Sequence, residues 1–193
     1  MSRADRQRIR ASEAIRDEAL RSRDWWKYLI HYGSHERLRP FVAIHEQMTD
    51  AEYWEILSDL YSSAEFFTPD FEVWENLLFS TRPISGAVKM MRPVDRRALA
   101  NLPPRFTVYR GQQSAEHGPG FSWTIDRARA HWFAHTRGAE RMALLAAGTW
   151  SKGAGVVLRG VVSKTDVLCY LSGRGEDEII VHPSRIANLR SSA

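Results

Sequence analysis

The chain has 193 residues, 27 basic and 23 acidic with a net charge of +4, and one cysteine. That length can bury a hydrophobic core without staples, one cysteine rules out an internal disulfide, and no Cys/His cluster has zinc spacing. The first twenty residues, "MSRADRQRIRASEAIRDEAL", carry charges throughout, and no later run approaches the roughly 20 apolar residues that span a bilayer, so no membrane role and a cytoplasmic, reducing setting are expected. Basic and acidic residues interleave, which is a poor signature of dedicated nucleic-acid binding.

Residues 3 to 32 read as helical with an irregular apolar stripe; Trp25 and Trp26 fit docking into a core better than a ligand cage. In "MTDAEYWEILSDLYSS", Thr49 and Glu52 make a capping box, and Tyr53, Ile56, Leu57 and Leu60 share a helix face. "TPDFEVWENLLFS" starts a second helix with Thr68 as N-cap and Pro69 at the first position, and sets Phe71, Trp74, Leu77 and Leu78 on one face.

Near "NLPPRF" the texture changes to short runs of valine, isoleucine and aromatics bounded by glycine. "RFTVYRG", "GFSWT", "GVVLRGVV", "DVLCYL" and "DEIIVHP" are predicted strands, and "DRARAHWFAHT" a short helix capped by Thr124 or Asp126. Residues 135–155 give a mixed signal of glycine-bearing loop and "ERMALLAA" helix. The predicted class is α+β: a helical segment over residues 1–100, then a mainly β core over 101–193.

Three groups recur at strand edges: Arg110 in "VYRG", Ser122 and Thr124 in "GFSWT", and Glu176 and Glu178 in "GEDEIIV". An arginine at the end of one strand, a Ser-x-Ser/Thr opening another and a Glu-x-Glu opening a later one resembles the R-S-E class of ADP-ribosyltransferases. The likeness covers about residues 100–185 and includes the helix after the serine strand. It implies a mixed β core of two packed sheets and a mono-ADP-ribosyltransferase acting on NAD. The acceptor would be macromolecular, a protein arginine by the Glu-x-Glu form, with a nucleic-acid acceptor as the alternative.

The chemistry suits these residue types. A guanidinium offers a planar fork of donors to phosphate or ribose oxygens, so Arg110 is expected to anchor NAD, with Gly111, Ser122, Trp123 and Thr124 lining the same site. Cleaving the nicotinamide–ribose bond builds positive charge on the sugar, which a fixed carboxylate stabilises; Glu178 is the expected group. Strand alternation would place Glu176 on the same face, where the resemblance assigns it to the acceptor, and turn Asp177 away. Ser122 is expected to support the site, its hydroxyl bonding Glu178 or the nicotinamide ribose, and Trp123 is expected in the core or against nicotinamide. No metal is required, because the pyridinium charge already activates the bond.

Other readings fit less well. His131 and His135 have helical ligand spacing but no third ligand follows. A Ser122, Asp126, His131 triad lacks the glycine-flanked elbow of an exposed nucleophile, and no G-x-G-x-x-G links a strand to a helix. The remaining rivals are an NAD glycohydrolase with the same core and a non-enzymatic module that binds NAD or nucleic acid.

Overall fold

A computed structural model describes residues 2–64, 70–112, 114, 118–137, 155–173 and 177–192. The predicted cap at Thr68 and Pro69, Glu176, and residues 138–154 of the mixed-signal segment lie outside the described residues. Two compact units, Met1–Phe71 and Glu72–Ala193, divide the chain.

In the first unit, helix α1 (Arg3–Arg21) opens on a reciprocal cap in which the Asp5 N–H donates to the Ser2 hydroxyl and the Ser2 N–H to the Asp5 carboxylate. The helix expected over residues 3 to 32 breaks after α1: Arg23 takes φ 56°, and Asp24 caps a separate α2 (Trp25–Ile30) by accepting from the Lys27 N–H. α3 spans Leu38–Ile44 and α4 Asp50–Ser63. The Thr49–Glu52 capping box forms as the sequence predicts, with the Thr49 N–H donating to Glu52 at 2.7 Å. Tyr53, Leu57 and Leu60 are buried, and Trp54 and Tyr61 join them. Trp25 is buried, and the Tyr53 ring lies 5.5 Å from Phe41.

The second unit begins within α5 (Phe71–Phe79), whose Trp74, Leu77 and Leu78 are buried as the spacing predicts. α6 (Pro93–Asn101) follows, with proline at its first position. These helices share their unit with the strands, so the packing boundary falls well before the change in sequence texture near residue 101. Side-chain ties show why. On α5, Glu75 reaches His182 at 2.8 Å, and the Phe79 ring lies 5.5 Å from Phe121; at the end of α6, Lys164 donates to the carbonyls of Ala100 and Leu102.

Strands β1 (Arg105–Gln112), β2 (Ser122–Thr124), β3 (Val156–Ser163), β4 (Val167–Leu171) and β5 (Glu178–Val181) occupy the five predicted runs. A sixth, β6 (Ala187–Ser192), pairs with β3 at the sheet edge. Its sequence "ANLRSS" lacks the apolar alternation that marks a half-buried strand. Helix α7 (Arg127–Trp132) lies between β2 and β3 in sequence and runs on into a π-helical turn, Phe133–Arg137.

The expectation of two packed sheets is not met. The described strands form one antiparallel sheet, ordered β4-β5-β2-β1-β3-β6. Three-residue β2 makes it one, because it pairs with β5 along its whole length and with β1 through Tyr109↔Thr124. The described pairing thus joins two three-stranded halves through that single residue pair.

Candidate active site

β2 lies between β5 and β1 in the sheet, so a residue of β2 can touch a side chain from either neighbour. Ser122 does. Its hydroxyl donates to Glu178 Oε1 at 2.5 Å, and its backbone carbonyl accepts from Arg110 Nη1 at 2.7 Å. The register puts Thr124 opposite Glu178 and Ser122 opposite Ile180, so Ser122 reaches Glu178 diagonally on one face of the β2–β5 pair. Arg110, Ser122 and Glu178 are each half-buried, which keeps an ordered guanidinium and carboxylate within reach of a ligand.

Two glycines make this arrangement possible. A side chain at Gly120 would place its Cβ 2.7 Å from Arg110 Nη2, so the guanidinium lies over bare backbone. A Cβ at Gly111 would stand 1.9 Å from the Ala130 carbonyl of α7. The glycine that follows the arginine in "VYRG" therefore seats a helix. On the same face Tyr109 packs against Ala130, Ala134 and Val157.

Trp123 takes the intervening position on β2, is 2% exposed, and donates its indole N–H to the Gly120 carbonyl at 2.9 Å. It is a core residue that pins the glycine beneath Arg110. Thr124 is buried and its hydroxyl accepts from the Asp126 N–H at 3.1 Å; Asp126 itself caps α7, accepting from the N–H groups of Ala128 and Arg129. Of the two residues expected as the cap, Asp126 is the N-cap, and Thr124 holds the backbone of Asp126.

β5 starts at Glu178, and Asp177 before it adopts φ 46°, which interrupts the extended backbone on which alternation depends. Asp177 turns to Tyr170 on β4, whose hydroxyl donates to Asp177 Oδ1 at 2.5 Å.

No protein-family model, curated protein or solved structure gives a significant match to this chain. The site is accordingly read from its own geometry.

Residues without a motif complete it. Asp95 on α6 is 1% exposed and accepts from the Ser172 N–H and hydroxyl and from the Arg92 guanidinium. Burial opposes its charge, but the bonds from Arg92 and Ser172 outweigh burial and bring its carboxyl down to about 2. Ser172 follows Leu171, the residue opposite Glu178, so this buried carboxylate fixes the strand end beside the site. Burial, with the charges of Glu178 and Asp95 added, raises the thiol of Cys169 well above its ordinary value.

Among the described residues no group of three or more histidines, cysteines and carboxylates could hold a metal ion. The His131 and His135 rings do meet, with centroids 4.3 Å apart. No helix among the described residues is long and apolar enough to cross a membrane.

Proposed function

We propose that the chain is a mono-ADP-ribosyltransferase that cleaves NAD between nicotinamide and ribose and joins ADP-ribose to a macromolecular acceptor, a protein arginine. The observation that carries this reading is the hydrogen bond from Ser122 to Glu178, which orders a half-buried carboxylate across the intervening strand β2 from a half-buried guanidinium. Sequence order alone could not distinguish three solvated strand ends from a site; a shared serine joining the other two favours the site.

In this reading the Arg110 guanidinium binds the anionic and ribose oxygens of NAD. Glu178, its orientation set by Ser122, stabilises the positive charge that grows on the ribose as the bond to nicotinamide lengthens. The acceptor atom bonds to the anomeric carbon, nicotinamide leaves neutral with the bonding pair, and the proton lost by the acceptor passes to a base or to solvent. Glu176 takes the acceptor role on the resemblance alone.

Incubating the protein with NAD and bacterial lysate, followed by mass spectrometry, tests the transfer. ADP-ribose attached to a macromolecule supports the proposal. Free ADP-ribose alone makes the core an NAD glycohydrolase, and absence of NAD binding by calorimetry makes it a module of another kind.

A further inference from the structure

The connection between β4 and β5 is held at both of its ends. At the β4 end, Ser172 is fixed by Asp95 through its N–H at 3.2 Å and its hydroxyl at 2.5 Å. At the β5 end, Asp177 is fixed by the hydroxyl of Tyr170. Tyr170 is itself 4% exposed and pairs with Ile179, so it is a rigid point from which to hold its neighbour. Burial, then the bond to Asp177, raises the Tyr170 phenol, which keeps it protonated and donating.

Asp177 stands immediately before β5. Its φ of 46° lies in the left-handed region that non-glycine residues seldom occupy, and the next residue is Glu178. A small rotation there would swing the first side chain of β5 away from Ser122.

We infer that Tyr170 and Asp177 are a positioning pair: their hydrogen bond fixes the entry of β5 and so holds the Glu178 carboxylate against the Ser122 hydroxyl. Its catalytic consequence rests on the transferase reading above; its structural consequence does not. Neither residue touches substrate in this account. Both act through Glu178.

Three variants separate the bond from the backbone. Tyr170→Phe removes the donor; Asp177→Gly keeps the left-handed backbone without the acceptor; Asp177→Asn keeps an acceptor oxygen and tolerates positive φ. In protein labelled with carboxyl-13C glutamate, the Glu178 resonance is identified by its loss in Glu178→Gln. It should move in Tyr170→Phe and Asp177→Gly and stay in Asp177→Asn. With NAD as substrate, kcat for nicotinamide release should fall about tenfold in the first two variants, with KM within about twofold and Asp177→Asn near wild type.

An unmoved Glu178 resonance in folded Tyr170→Phe and Asp177→Gly would overturn the pairing role, as would equal losses in Asp177→Asn and Asp177→Gly. A wild-type protein that releases no nicotinamide overturns the transferase reading instead, and the resonance alone then decides the pair.

Discussion

Ser122 and Glu178 are 56 residues apart in sequence and 2.5 Å apart in space, hydroxyl to carboxylate. A hydrogen bond to a charged group contributes about 1.5–3 kcal/mol, which corresponds to roughly a tenfold to hundredfold change in rate if it aligns the group in the transition state. Ser122→Ala should therefore lower kcat for nicotinamide release by about that factor and leave a folded protein. Steady-state kinetics read it, and a variant with wild-type kcat would remove Ser122 from the mechanism.

Gly111 and Gly120 should part company when each is changed to alanine. At Gly111 the new methyl meets the backbone of α7, which cannot yield without lifting the helix, so the variant should lose about 3 kcal/mol of stability in urea unfolding. At Gly120 it meets the end of the flexible Arg110 side chain, which can swing aside. Gly120→Ala should unfold near wild type and raise the dissociation constant for NAD by about tenfold.

Asp95 gives the fold a specific acid dependence. Its carboxyl sits at about 2 in the folded chain against an ordinary value of 3.8, so the stability it supplies is present above about pH 4 and disappears as pH falls toward 2. Asp95→Asn should cost about 2 kcal/mol at pH 7. The gap from wild type should close near pH 2, as measured by denaturant unfolding at each pH; a constant gap would show that charge is not the cause.

Cys169 is fully buried with a raised thiol, so the thiolate that alkylating reagents attack is scarce and shielded. Iodoacetamide should leave the folded protein unmodified and label it once in denaturant. Labelling of the native protein would place the thiol at the surface.

Legibility in the sequence followed the range of the interaction. Caps and helix faces are local, and Thr49 with Glu52, and Trp74 with Leu77 and Leu78, stand where spacing put them. Five strands were readable because their apolar residues alternate or cluster; β6 was not, because an edge strand needs little apolar surface. Arg110, Ser122 and Glu178 could be singled out by order, but their joining through β2 depends on pairing that no short window encodes. Asp95 carries no local sign of its role, since its partner Ser172 is 77 residues away. Nor does alternation, which assumes an extended backbone, signal the positive φ of Asp177 one residue before Glu178.

The account stands on Glu178 acting as the carboxylate that drives NAD cleavage. Nicotinamide release by the purified protein, with and without bacterial lysate, beside Glu178→Gln, tests this most directly. The variant keeps the shape and an acceptor oxygen for Ser122 while removing the charge, so release should fall by at least about a hundredfold with the fold intact. Release that is undiminished in folded Glu178→Gln would contradict the mechanism, and its absence from wild type under both conditions would contradict the activity.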